Sequence, residues 1–392
     1  MSNPVEVQFP LFEEGPFSRV QAHLRLTGIE QRQIRRRIIV AVLLTWVPLF
    51  VLAAVQGRAL GPNWRQSMLL DAAMYARYLV AIPLLILATP MVRRKLRTIV
   101  CHFQAAGLVK EQDRQLFLAN IAAVLRWRNS LLAALLILVL AIGKSVAVGI
   151  FSVSEMAESW RVVGTEGHRS LSLAGWWQVA VCDTLYDIMV LQLLYRLALL
   201  WRFYWKTSRL DLCLNAAHPD GAGGLAFLSM MLPAFRLPLF AISASAAGAL
   251  ANLMLYMSAS FADFRIPVGA FAAGLVAITT GPLLFFNGQL RTTKGRASLA
   301  SGALAGRQLK AFEEKWLGQS PAEAQEMLQA PDFSAVGDLT MTVKAIGKMN
   351  TLPFSWRQLA PLVVAALLPF VPVACIEVPV KEVLLRVLKL VK

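Results

Sequence analysis

Long apolar runs alternate with short basic segments along this chain. The first run covers about residues 38–55, directly after Arg32, Arg35, Arg36 and Arg37. The second covers about 74–92 and ends in Arg93, Arg94, Lys95 and Arg97. Four more cover about 130–151, 177–201, 237–256 and 268–286. Roughly 20 apolar residues in a helix cross a hydrocarbon core, so each run predicts a spanning helix. Arg202, Lys206 and Arg209 follow the fourth run, and Arg291, Lys294 and Arg296 follow the sixth. The positive-inside rule makes the side bearing these cations the cytoplasm and places the N-terminus there. Trp160, Trp176 and Trp177 fit an aromatic belt at the opposite boundary. The pattern predicts an all-α polytopic membrane protein with six to seven transmembrane helices and a small helical cytoplasmic layer.

The segments between runs complete the division. Residues 1–37 are a polar cytoplasmic segment, and 38–290 form the transmembrane domain with cytoplasmic pieces at 98–129 and 203–225. Within 98–129, Leu116, Ala119 and Ala123 follow a helical period behind Lys110, Glu111, Asp113 and Arg114. Residues 291–357 read as a cytoplasmic helical segment. Leu299, Leu304, Leu309, Phe312 and Trp316 predict one helix, residues 333–349 another, and Gly318, Pro321 and Pro331 a loop region between them. This piece is too small for a large core of its own and is expected to pack against 98–129. Residues 358–392 hold a last apolar run with Pro361, Pro369 and Pro372, then an amphipathic tail with Lys381, Arg386, Lys389 and Lys392. The cationic tail prefers the inner leaflet, which favours a re-entrant hairpin over a seventh crossing.

Composition narrows the function classes. The 392 residues are 57% hydrophobic and only 16% charged, against about 25% charged in soluble domains. The net charge of +16 clusters at run ends, where lipid explains it better than nucleic acid. Cys101, Cys182, Cys213 and Cys375 form no CxxC pair, so free thiols are expected rather than a disulfide framework or a zinc site. Residues 1–30 carry Glu6, Glu13 and Glu14 and no apolar core of a cleavable signal.

Three charges fall inside the apolar runs. Lys144 lies toward the outer end of the third run, and Asp183 and Asp187 lie past the start of the fourth. At 1.5 Å per residue all three sit on the order of 9–15 Å below the outer surface, and the aspartates share one helical face. An antiparallel hairpin brings Lys144 to them, either as a structural ion pair or as charges lining a transport path. Two carboxylates face one lysine, so one of them needs protonation, water or a partner from another span. Ser245 and Asn252, with Gly248, fall on one face of the fifth run, and Thr280 and Asn287 fall roughly on one face of the sixth. Such small, polar faces serve close packing or line a pore. In the cytoplasmic loop, His218 and Asp220 precede a glycine cluster that matches no phosphate-binding motif and supplies too few ligands for a metal. No GxSxG, HExxH or paired-histidine signature occurs, so neither an enzyme nor a cofactor is expected.

The stretches His218-Pro219-Asp220 through Leu225, Phe312 through Leu317, Pro331-Asp332-Phe333 with Asp338-Leu339, Leu352-Pro353-Phe354 and Lys381 through Leu385 resemble a family of bacterial multi-pass inner-membrane proteins with no established activity. The resemblance implies a bacterial inner membrane and no chemistry. The residues themselves point to an inner-membrane channel, for ions, working as a homo-oligomer in the lipid bilayer. A scaffold that binds a cytoplasmic protein partner, and a secondary transporter, are the alternatives.

Overall fold

The computed structural model describes residues 11, 31–61, 66–155, 159–164, 168–257, 259–316 and 331–377. Among them, seven helices are long and apolar enough to cross a membrane. Residues 1–10 and 12–30 of the N-terminal segment, residues 317–330 of the expected loop region and the amphipathic tail from 378 onward lie outside the described residues.

Helix α1 (Gln31–Val55) leaves the arginine-rich face of the molecule, called here the basic face. Helix α2 (Ala72–Ala105) returns to it. Helix α3 (Arg114–Arg128) lies beyond the end of α2 and packs on the helix that ends at Thr207. Helix α4 (Leu131–Glu155) runs outward, and a two-residue hairpin, β1 (Val162–Val163) with antiparallel β2 (Ser170–Leu171), turns the chain back. Helix α5 (Leu173–Thr207) returns to the basic face. Helix α6 (Leu232–Met257) is entered through a tight turn at Ala226–Met231. Helix α7 (Phe261–Thr280) continues through the tight turn Gly281–Phe286 into α8 (Asn287–Trp316). Helix α9 (Pro331–Lys348) pairs with α8, and α10 (Trp356–Leu367, extended by short turns to Ala374) packs on α6.

α6 organises the bundle, packing against both α2 and α10. Small residues permit the close approach. A Cβ on Gly248 would stand 2.7 Å from the Ala76 side chain and 2.9 Å from the Ala73 backbone. In lipid, apolar burial gives helices little reason to associate, so such close van der Waals contact carries the packing. α4 is the opposite case. Leu131, Leu132, Leu135, Leu136 and Val139 are all exposed, as suits a helix facing acyl chains.

Two expectations need correction. The last apolar run does not turn back on itself. Gln358 Nε2 donates to Ser229 Oγ (2.9 Å) at the basic end of α6, whereas Glu377 accepts from the Phe261 backbone N–H (2.8 Å) at the α6–α7 turn. The run therefore follows α6 along its whole length. Its prolines are tolerated because Pro369 and Pro372 each open a new short helical turn, where the missing N–H is not needed. The 291–357 piece meets the 98–129 segment over part of its length and not as a continuous layer. Ile346 and Met349 join the core that contains Phe103, Leu108 and Phe117, and Ala297 and Phe354 pack against it. Leu299, Leu304, Leu309 and Met341 are exposed on the α8–α9 arm. Helix α7 and α8 form one rod over Phe261–Glu314, about 80 Å at 1.5 Å per residue, so α8 is carried well beyond a bilayer about 30 Å thick.

Candidate functional site

The polar groups collect in a seam between α2, α4, α5 and α6. Asp187 pairs with Lys144, as adjacent antiparallel helices require, and also accepts from Ser145 Oγ at 3.4 Å. Asp183 takes a different partner from another span. It pairs with Arg77 of α2 and accepts from Tyr78 Oη at 2.8 Å. Arg77 further donates from Nε to Ser245 Oγ (3.2 Å) and lies 5.4 Å from the Tyr186 ring centroid. Both aspartates are buried.

Backbone geometry contributes to this pairing. Residues Tyr75–Ala81 of α2 and Gln178–Asp183 of α5 wind as π-helix, within otherwise α-helical rods. Arg77 and Tyr78 sit in the first wide stretch, and Asp183 ends the second. Such widened turns re-aim side chains and are frequent where polar chemistry is placed.

A second carboxylate cluster closes the seam toward the hairpin. Asp71 precedes α2 and caps it by accepting from the Met74 N–H at 3.1 Å. Its Oδ1 also accepts from Asn252 Nδ2 at 2.8 Å. Its Oδ2 accepts from Trp160 Nε1 at 2.8 Å and from Arg161 Nη2 at 2.7 Å. One buried carboxylate thus joins α2, α6 and the hairpin loop. Across the seam, Asp71, Asp183 and Asp187 balance Arg77, Lys144 and Arg161. Charge balance of this kind is what permits ionised groups at such depth.

Of the residues singled out by sequence, Lys144, Asp183, Asp187, Ser245 and Asn252 meet in or beside this seam. Ser245 and Asn252 spend their side chains on α2, whose backbone fills the face of α6 around Gly248. Thr280 lies elsewhere and donates to the Val276 carbonyl of its own helix at 2.8 Å. Asn287 opens α8 near the basic face and its Oδ1 is buried without a hydrogen-bond partner. Arg77, Tyr78, Asp71 and Arg161 are the seam residues that sequence reasoning missed. A narrow crevice reaches Asp183 between Ser152, Arg161 and Gln178, with no room for a water molecule.

His218 and Asp220 serve a separate structural turn. Asp220 accepts from the N–H groups of Ala222 (2.9 Å), Gly224 (3.0 Å) and Ala226 (3.0 Å), and so caps the entry to α6. Gly221, Gly223 and Gly224 all have positive φ, and a Cβ on Gly223 would meet the Met349 side chain at 2.9 Å. The Asn350 N–H donates to the Gly221 carbonyl at 2.8 Å, tying the turn to the segment before α10. Burial opposes ionisation of Asp220, but these backbone donors and the His218 ring outweigh it and hold its carboxyl below the usual carboxylate range. A depressed folded pKa stabilises above the unfolded value, near 3.9, and that stability is lost as pH falls through the folded value. Asp220→Ala is therefore expected to cost about 1 kcal/mol at neutral pH. The gap between variant and wild-type melting temperatures should close in acid. A gap that stays constant down to about pH 3 would refute the capping role.

Among the described residues no group of three or more His, Cys, Asp or Glu gathers to hold a metal, and the four cysteines are free thiols. Compared with family models, with curated proteins and with solved structures, the chain matches none, so its function is read from its own residues.

Proposed function

We propose that this chain is an ion-conducting protein of a bacterial inner membrane, with a cytoplasmic N-terminus, working as a homo-oligomer whose aqueous path runs beside the α4–α5 face. Lys144 carries the reading. It lies roughly 20 Å and 16 Å from the two ends of α4 at 1.5 Å per residue, farther than a lysine stem reaches to snorkel. Its side chain is nonetheless 57% exposed on the single chain, while its partner Asp187 is buried. An ammonium facing acyl chains at that depth costs about 2.5–3.5 kcal/mol or more. Water in a pathway between copies removes that cost. The bundle interior is a poorer route, since the crevice at Asp183 is too tight for water and α6 is packed against α2.

The test is ion flux from purified protein in liposomes. Wild type should conduct. Lys144→Met combined with Asp187→Asn, which removes both charges and leaves neither unpaired, should lower flux by about ten-fold, the equivalent of 1.4 kcal/mol. Absence of flux in wild type, or equal flux in the variant, overturns the reading.

A second reading, a membrane scaffold for a cytoplasmic protein, is favoured by the exposed Leu299, Leu304, Leu309 and Met341 on the α8–α9 arm. Solvent-facing leucines on a projecting helix pair suit a partner. Loss of specific capture after Leu299→Glu and Leu309→Glu, with flux intact, would separate this role from conduction.

A further inference from the structure

A cleft of about 500 Å³ opens at the basic face between the end of α5 and the start of α8. Its walls are tied together where Gln289 Nε2 donates to the Leu210 carbonyl at 2.6 Å. Trp205 and Phe285 line the side toward the apolar runs, and Arg209, Arg296 and Thr292 line the side away from them. That order, apolar then cationic, is the order of a lipid–water boundary. The cleft lies at that level, because Phe285 belongs to the last tight turn of the apolar stretch of the α7–α8 rod.

The two guanidinium groups are available. Arg209 is held by an aromatic ring, its Cζ 4.4 Å from the Trp205 centroid, and no carboxylate among the described residues pairs with it or with Arg296. The one carboxylate that lines the cleft, Asp211, is engaged by Lys110. A guanidinium fixed in orientation but not neutralised is a bidentate donor for phosphate oxygens. Basic pockets between helices at this level suit phospholipid headgroups, and the volume is sufficient for one.

We propose that this cleft binds the phosphate diester of an anionic membrane lipid, with Arg209 and Arg296 on the phosphate and Trp205 and Phe285 against its glycerol and upper acyl atoms. The site does not depend on the conduction reading. The same chemistry would accept free phosphate, so the experiment separates the two sources. Wild-type protein in phosphatidylcholine discs is melted while phosphatidylglycerol is added stepwise, and in parallel while inorganic phosphate is added. A ligand that binds the folded state raises the melting temperature by mass action.

Phosphatidylglycerol is expected to raise it in wild type. In the Arg209→Gln, Arg296→Gln variant, half-maximal stabilisation should need at least about ten-fold more lipid. Arg296→Gln alone, at an exposed position, reports the same loss if the double variant does not fold. Arg209→Lys with Arg296→Lys should restore part of the affinity, since charge remains while the fork is lost. No shift with phosphatidylglycerol, or an unchanged shift in the glutamine variants, overturns the proposal. A full shift with inorganic phosphate alone assigns the site to a soluble anion and overturns the lipid assignment.

Discussion

Replacing Arg77 by methionine is expected to destabilise the folded protein by about 3–5 kcal/mol, the cost of leaving a buried charge without its partner. The variant keeps most of the side-chain volume, so a cavity contributes little. Asp183 then keeps the Tyr78 hydroxyl as a hydrogen-bond donor, which can share its charge but not cancel it, while the nearby Arg161 is already engaged by Asp71. Asp183 must ionise alone or take up a proton, and either raises the energy of the folded state. Adding Asp183→Asn removes the orphaned charge and should recover most of the loss. Reversible unfolding in detergent, followed by tryptophan fluorescence, measures both variants. A single variant that loses less than about 1 kcal/mol, or a double variant no more stable than the single, would show that the pair is not held as charge against charge.

Asp71→Ala should do comparable damage by another route. One substitution deprives four donors: the indole of Trp160, the guanidinium of Arg161, the amide of Asn252 and the backbone N–H of Met74. Each buried donor left unmade costs about 1–3 kcal/mol, and a lost helix cap about 1. Partial relaxation leaves a net loss on the order of 5 kcal/mol. The loss should be local at first, because the hairpin loop is tied to α2 and α6 through this carboxylate. Hydrogen exchange over residues 159–164 is therefore expected to rise before the bundle as a whole opens. Exchange there matching wild type would refute the role of Asp71 as the tie.

The contrast between these two sites and the Lys144–Asp187 pair shows what a sequence can reveal in a membrane protein. Lys144 and Asp187 stand at matching depths on neighbouring antiparallel runs, so hydropathy alone brings them together. Arg77 stands just inside the start of an apolar run, where a headgroup-level arginine would also stand. Asp71 precedes the run and reads as loop, and Arg161 belongs to a loop of balanced charge. Only the π-helical stretches, which leave no trace in the hydropathy pattern, and the packing of α2 on α5 and α6 bring these groups together. Six of the seven apolar helices are legible because lipid demands one property of each, continuous apolar length. The course of the last run is not, since its prolines allow either a kinked span or a reversal and the cationic tail favours the reversal, while the structure places Pro369 and Pro372 at successive helix starts.

The distance along the chain between Arg77 and Asp183 has a consequence for biogenesis. The arginine is synthesised 106 residues before the carboxylate that neutralises it. When α2 first enters the bilayer its cation has no mate, and Arg77, the sixth residue of α2, must first rest at headgroup level by snorkelling. It is drawn into the seam only when α5 brings Asp183. Nascent chains truncated between the two helices should therefore keep position 77 accessible to water, and its withdrawal from water should coincide with the arrival of α5.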